Sequence, residues 1–414
     1  MTMQLTRARY VVRERSEVAI PNLTQRDLEL LSRIRAEGKI DFREAHAGAN
    51  VRTKQYVGSI GLSRCTLDIE PKIDVRNLMY MLGEAERLEP SFFSSTVGAQ
   101  SQVSFYNFIV HLFMLMTEDL LRKGAWKSYE TREEPIQLVR GRIMTNEQAT
   151  RSQGMPIPVW CRYDEYTVDV IENQVIRYVL KVLDRTELPI ELDRTRRKLL
   201  SLLSDVSLLS ELNLDRIDSI SYNRLNSDYR PVHSVGKLIL EDLSFGESTG
   251  RVRPYSFLFD MELLFQEFIY AALKRELEDR VTKVIRQPPR TIRKVKGPLD
   301  LQNMTVIPDL LVLRRGKKVV LDTKWKVPFR EGRIPGTTAP HPDNFHQMVS
   351  YITLHDAPGI LLYPTEGTEN VDAGFETSGR ADRRLYIRTI NLNLPIEGIR
   401  REITELSSYI SSLV

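Results

Sequence analysis

The sequence predicts a multidomain α/β protein, with a mixed α/β N-terminal domain, a helical middle, and a C-terminal α/β domain built on a small central mixed sheet flanked by helices. Three observations point there. A chain of 414 residues is long for one core and suits two or three. Apolar spacing switches along the chain from strand-like alternation to recurrence every three or four residues, and later back. The stretch Ser244 to Pro254, with Gly246, Gly250 and Pro254, has the composition of a boundary. The expected domains are residues 1–165, 166–254 and 255–414.

The first of these opens with strand composition from Tyr10 to Ile20. Thr24 then stands where it can cap a helix whose Leu28, Leu31 and Ile34 fall on one face. Tyr56 to Ile73 alternates as strands do, with Gly58 and Gly61 as expected bulge or turn positions. Phe105, Phe108, Ile109, Leu112, Phe113 and Met116 mark a helix that ends in Arg122-Lys123-Gly124. Tyr129 to Met144 is charged and strand-like. Helices are expected over Val168 to Leu183, Arg194 to Leu212 and Asn223 to Leu243.

Past the boundary, Met261, Leu264, Phe265, Phe268, Ala272 and Leu273 share a helix face. Ile307 to Leu313 and Lys318 to Lys326 then read as a hairpin joined through Arg314, Arg315 and Gly316. A helix fits Phe345 to Leu354, and Gly359 to Pro364 fits a short buried strand.

Composition excludes several classes. With 42% apolar and 28% charged residues and no apolar run long enough to cross a bilayer, the chain reads as an ordinary water-soluble protein with no membrane role. The N-terminus carries charges but no apolar core of signal-peptide length. Cys65 and Cys161 alone form neither a disulfide framework nor a cysteine-rich metal site. No HExxH, no Gly-x-Ser-x-Gly elbow and no GxxxxGK[ST] occurs, so this chain itself is expected to bind no nucleotide. Net charge is only +4, yet between Lys283 and Arg333 fourteen Lys and Arg face four acids. Such a block is a solvated face or a surface for phosphate backbones.

The hairpin carries the candidate chemistry. Pro308-Asp309 opens its first strand, and Asp322-Thr323-Lys324 follows the aliphatic run Val319-Val320-Leu321 in its second. Alternation places Asp322 and Lys324 on one side, and pairing lets Asp309 approach from the neighbouring strand. Two converging carboxylates form a hard-oxygen site suited to Mg²⁺, with Mn²⁺ as the substitute. A lysine beside them can orient or deprotonate a metal-bound water and stabilise an attacked phosphate. The bland reading is a solvated strand end; a carboxylate inside a strand, however, is costly without a partner or a metal.

These residues resemble the PD-(D/E)xK nuclease signature. DTKWK, after IPDLLVL and before a helix holding Gln347-Met348-Val349-Ser350-Tyr351, resembles the McrC family in particular. Leu264-Phe265-Gln266 is similar to that family's LFE helix, with Gln266 in place of the usual glutamate; Glu262, one turn earlier, can substitute, whereas Glu267 is expected to point away. Leu67-Asp68-Ile69-Glu70-Pro71-Lys72-Ile73, Asn77-Leu78, Gly141-Arg142, and Asp169 with Asn173 fit the remainder. Gln347 and Tyr351 also have readings as an ordinary helix residue and as core packing.

The resemblance implies a PD-(D/E)xK restriction-endonuclease-like fold for residues 255–414. It implies a Mg²⁺-dependent DNA endonuclease of a prokaryotic, cytoplasmic, modified-cytosine-dependent restriction system. Asp309 and Asp322 would hold the metal with the Thr323 carbonyl, Lys324 would position water, and Gln347, Glu262 and Gln266 would assist. Lys294, Lys296, Lys317 and Lys318 would hold the DNA backbone. The implied partner is a McrB-type AAA+ GTPase hexamer, which recognises modified cytosine in double-stranded DNA and whose GTPase this chain would stimulate through its N-terminal half. The rival is a non-catalytic activator or assembly subunit of such a ring. A nuclease with an iron–sulfur cluster would need more cysteines.

Overall fold

The structure, a computed structural model, describes residues 8–46, 48–86, 105–151, 158–212, 214–245, 255–292, 304–331, 338–365, 372–377 and 380–414. It is a mixed α/β protein. A three-stranded antiparallel sheet (Glu17–Pro21, Gly48–Thr53, Ile40–Ala45) carries the helix Gln25–Ala36. Thr24 caps that helix reciprocally: its hydroxyl accepts the Asp27 amide at 3.3 Å, and the Asp27 carboxylate accepts the Thr24 amide at 2.9 Å. Leu30, Leu31 and Ile34 then bury against Ile40, Phe42 and Val51. The strand expected from Tyr10 to Ile20 is in fact two, Ala8–Arg13 and Glu17–Pro21, because Arg15 turns the chain with a φ of 60°.

A five-stranded sheet lies beside it, in the order Ala8–Arg13, Cys65–Glu70, Tyr56–Gly61, Tyr255–Asp260, Leu243–Phe245. Gly58 and Gly61 are not a bulge or turn. Both lie within a regular strand where the neighbouring one approaches closely. A Cβ on Gly58 would sit 1.9 Å from the Phe257 carbonyl oxygen, and one on Gly61 would meet the Tyr255 ring at 2.2 Å.

The middle is helical, but the helix expected from Arg194 to Leu212 runs from Ile190 to Leu202, and residues 203–212 follow in turns and coil. Helices Phe105–Arg122, Ile171–Val182, Ile190–Leu202 and Tyr229–Asp242 pack together. Gly236 lets the last of these sit against Phe113 and Val179. The final helix begins later than the expected Asn223, because the Asn226 side chain accepts the Asn223 amide (2.7 Å) and donates to Glu172 (3.0 Å), holding the preceding residues in turns. The long ladder Ser128–Ile136 with Val159–Thr167 mixes exposed and half-buried residues, with Cys161 buried.

A six-stranded mixed sheet forms the C-terminal part, in the order Thr282–Arg286, Leu310–Arg314, Lys317–Thr323, Gly359–Thr365, Arg380–Asn391, Asp372–Thr377. The middle three of its pairings run antiparallel, parallel, parallel. Val319 and Leu321 pack on one face with the helices Met261–Leu277 and Ile396–Leu413. Val320 packs on the other face with the helix Pro342–His355, through Met348, Tyr351 and Ile352.

The boundary expected at 244–254 does not separate two cores. Tyr255–Asp260 completes the N-terminal five-stranded sheet by pairing with Tyr56–Gly61, and then continues directly into the helix Met261–Leu277. Asp260 ends the strand and caps the helix, its carboxylate accepting the Glu262 and Leu263 amides at 2.8 and 3.3 Å. One apolar core runs from Val57 and Leu78 through Phe113 and Val179 to Phe268 and Leu310. Among the described residues, no helix is long and apolar enough to cross a membrane.

One buried histidine gives the middle region a pH signature. His233 is 1% exposed; its Nε2 faces the Glu172 carbonyl at 2.8 Å and its Nδ1 the Tyr222 hydroxyl at 2.7 Å. A carbonyl only accepts, so Nε2 carries the proton and Nδ1 accepts from Tyr222. Burial lowers its pKa to about 4, against the raising effect of the Glu172 carbonyl. Between the ordinary histidine value and that lowered one, the unfolded chain binds a proton that the folded chain refuses, so stability is lost as pH falls through this window. The protein should be about 2 kcal/mol less stable at pH 5 than at pH 7 from this group alone. Urea unfolding at the two pH values checks it, and His233→Gln should remove that part of the difference.

Candidate active site

The hairpin Leu310–Arg314 and Lys317–Thr323 closes through Arg315 and Gly316, with φ of 49° and 89°. Both values are positive, the form of two-residue turn whose twist matches that of paired strands. The turn fixes the register, with Leu310 opposite Leu321. One step further, Asp309 comes beside Asp322 and Thr323. Asp309 is pinned there: its Oδ2 accepts both the amide and the hydroxyl of Thr323, each at 2.7 Å. The Thr323 carbonyl leaves the strand on the same side as its amide, toward the Asp309 strand.

Asp322 is 1% exposed and Thr323 likewise. Lys324 Nζ lies 2.7 Å from Asp322 Oδ2 as an ion pair, the two side chains sharing one side as alternation requires. The buried Asp322 oxygen thus has the Lys324 ammonium as its partner. Burial raises the Asp322 pKa well above the carboxylate range, and the Asp309 charge raises it further; Lys324 opposes both. For Lys324, burial lowers the pKa, but Asp322, Asp309 and Glu262 outweigh it, and the net shift is upward. The lysine is therefore a held cation.

Two helices flank this cluster. From Met261–Leu277, Glu262 is half-buried, and its charge acts on Asp322, Lys324 and Lys326. Glu267, expected to point away, instead ion-pairs with Arg286 on the strand beside Leu310 and feels the Asp309 charge. Gln266 is buried, and its Nε2 has no hydrogen-bond partner among the described residues. From Pro342–His355, Gln347 Nε2 donates to the Tyr351 hydroxyl (2.6 Å), which donates to the Ile307 carbonyl (3.0 Å). Burial, followed by the charge of Asp322, lifts the Tyr351 pKa to about 12. Tyr351 thus packs in the core and also braces the residue before Pro308-Asp309.

Lys317 and Lys318 sit at the turn end of the hairpin, on the order of 15 Å along the strand from Asp322. Lys294 and Lys296 lie outside the described residues. Three contacts to the strand end went unforeseen, those of Glu14, Arg15 and Lys72 with Trp325. The residues are some 250 to 310 positions apart, so no local pattern could announce them; the single hint was a tryptophan directly after Asp322-Thr323-Lys324.

The donor set suits a hard divalent cation. Two carboxylates converge on neighbouring strands, and strand geometry turns the Thr323 carbonyl to the side of the Asp309 strand. No group of three or more His, Cys, Asp or Glu able to hold a metal occurs among the described residues. A pair of carboxylates is the sparse arrangement that Mg²⁺, which keeps several waters, accepts.

A family model described as McrBC 5-methylcytosine restriction system component matches residues 51–364, about three quarters of the chain. No curated protein matches it. Among solved structures, a chain of the half-complex refined from the tetradecameric assembly of Thermococcus gammatolerans McrB AAA+ hexamers with bound McrC is similar. Its TM-score is 0.63 at 17% identity, over 96% of this chain and all of that one. A chain of the Thermococcus gammatolerans McrBC complex, determined by cryo-EM, gives 0.48 at 16% identity, over 66% of this chain and 89% of that one. At 17% identity the first likeness is one of fold.

The brace on the Pro308-Asp309 strand can be tested alone. Tyr351→Phe removes one hydroxyl that joins Gln347 to the Ile307 carbonyl and leaves the ring in place. It should cost about 1 kcal/mol in urea unfolding with an unchanged denaturant slope; an unaltered midpoint would contradict the bracing role.

Proposed function

The chain belongs to the McrBC 5-methylcytosine restriction system component family, and on that premise we propose that it is the DNA-cleaving subunit, a Mg²⁺-dependent endonuclease with its site at Asp309, Asp322 and Lys324. The observation that carries this reading is the Asp322 carboxylate, buried in a strand next to a second carboxylate and a held lysine cation. Burying like charges together is unfavourable unless something positive joins them. We read the six-stranded sheet and its helices as a PD-(D/E)xK fold.

Asp309 and Asp322 would hold Mg²⁺, or Mn²⁺ in its place, with the Thr323 carbonyl; the bound ion supplies a Lewis acid and an acidified water. The remaining work falls to the chain. Thr323 fixes the Asp309 carboxylate through two hydrogen bonds. Lys324, kept protonated by Asp322, is suited to orienting the attacking water and to balancing charge on the phosphate rather than to accepting a proton. Glu262 approaches from the flanking helix, with Gln266 behind it and Gln347 on the opposite flank. Lys317, Lys318 and the basic 293–303 stretch with Lys294 and Lys296 would contact the DNA backbone beyond the site.

The partner in this reading is a McrB-type AAA+ GTPase hexamer. This chain has no P-loop, so nucleotide hydrolysis and recognition of modified cytosine are assigned to that partner. Residues before about 165 would dock with it and stimulate its GTPase.

The test is cleavage of methylated plasmid by this chain with its genomic AAA+ neighbour, GTP and Mg²⁺. Asp322→Ala should lower cleavage about 1,000-fold or more while GTPase stimulation persists. Chelation of the metal should abolish cleavage by the wild type. Stimulation with no cleavage by the wild type would favour a non-catalytic activator of the ring, and intact cleavage by Asp322→Ala would remove the site assignment.

A further inference from the structure

The strand that carries Asp322 ends at Thr323, and Lys324 keeps one sheet bond, its amide donating to the Leu362 carbonyl at 2.9 Å. The next residue, Trp325, is fully buried and is held mostly by the other end of the chain. Its indole N–H donates to Glu14 Oε2 at 2.6 Å, and its carbonyl accepts from Arg15 Nη2 at 2.6 Å. Lys72 Nζ lies 4.6 Å from its ring centre, within cation–π range. Phe265 of the flanking helix packs on the ring at 5.5 Å.

Glu14 is placed for this role by backbone bonds. Its amide donates to the Glu70 carbonyl (2.9 Å), and Arg15, in its left-handed turn, donates to the Lys54 carbonyl (3.0 Å). The Glu14 carboxylate is 5% exposed and uses both oxygens, Oε1 accepting the Lys72 amide at 3.0 Å and Oε2 accepting Trp325. A buried carboxylate so satisfied is a rigid two-ended link. One end is fixed to the five-stranded sheet and the other to the residue beside Lys324.

We propose that Glu14, Arg15 and Lys72 form a clasp on Trp325 that positions Lys324, so that the N-terminal sheet sets the geometry of the cleavage site. The clasp rests on the nuclease reading above. Glu14 and its neighbours are positioning residues, since none of them touches Asp309, Asp322 or the ammonium group. They act because Lys324 has one sheet bond before it and the clasped tryptophan after it. Without the clasp, the Lys324–Asp322 pair remains possible, but the lysine is free to leave it.

Glu14→Gln puts an N–H₂ against one of two donors, and Trp325→Phe deletes the indole donor while keeping an aromatic ring in the pocket. Both are made in the full chain, with wild type and Asp322→Ala alongside. Hydrogen exchange should speed up about tenfold or more in residues 322–326 of either variant, with 310–314 and 359–365 unchanged. Plasmid cleavage with the AAA+ partner should fall about 10–100-fold in maximal rate, with the half-saturating DNA concentration and GTPase stimulation as in wild type. The double variant should be no worse than the worse single one, because both remove the same bond. Local loosening without loss of cleavage would overturn the proposal. So would unchanged exchange, or a parallel loss of cleavage, GTPase stimulation and protection throughout the molecule. Wild type and Asp322→Ala cutting alike, or neither cutting, would instead mark failure of the nuclease reading, and the clasp's catalytic role would fall with it.

Discussion

A carboxylate at 1% exposure in the middle of a sheet is the constraint around which the C-terminal part of the molecule is arranged. Removing Asp322 from water costs several kcal/mol unless charge or hydrogen bonds compensate, and a second carboxylate beside it adds to that cost. The surroundings answer in part. Lys324 supplies one cation at 2.7 Å, Thr323 takes up the neighbouring Asp309, and Tyr351 braces the backbone that carries it. A sheet designed only for stability would place an aliphatic residue there, continuing Val319-Val320-Leu321. The local rule is broken at the position with the most chemistry to offer.

The position of that carboxylate depends on parts far away in sequence. Tyr255–Asp260 is a strand of the N-terminal sheet, and its continuation, Met261–Leu277, is the helix that brings the Glu262 charge near Asp322. Asp260 joins the two by capping the helix where the strand stops. Asn77, in the helix Val75–Glu86, donates to the carbonyls of Leu392 and Leu394 (2.7 and 3.0 Å), and Tyr80 meets Phe268 edge-on at 5.7 Å. With one apolar core spanning these elements, the site and the N-terminal sheet are parts of one packed body rather than two domains joined by a linker.

Much of this was legible in the sequence wherever the determining contacts are local. Thr24 marks the start of a capped helix, Arg315-Gly316 permits one tight turn, and strand alternation alone places Asp322 with Lys324. Where non-local pairing decides, sequence reasoning failed. Gly246, Gly250 and Pro254 suggested a domain boundary, but the strand after them finds its partner some 200 residues earlier. Gly58 and Gly61 looked like turn residues and are sites of close approach to that same strand. Glu267, set aside on helix periodicity, pairs with Arg286, a residue whose place beside Leu310 no local pattern gives. The Glu14–Trp325 link joins residues 311 positions apart. The closeness of Asp309, Asp322 and Lys324 was readable because all three lie on one hairpin; the contacts around them were not, because they are scattered.

The claim that Asp309 and Asp322 form a cation site is tested most directly by a crystal of the full chain soaked in Mn²⁺, with anomalous scattering to locate the ion. The expected result is one strong peak between the two carboxylates, coordinated by an oxygen of each, that is absent in Asp322→Asn. An empty position between ordered carboxylates at saturating Mn²⁺, with the Lys324 ammonium still paired to Asp322, would contradict it.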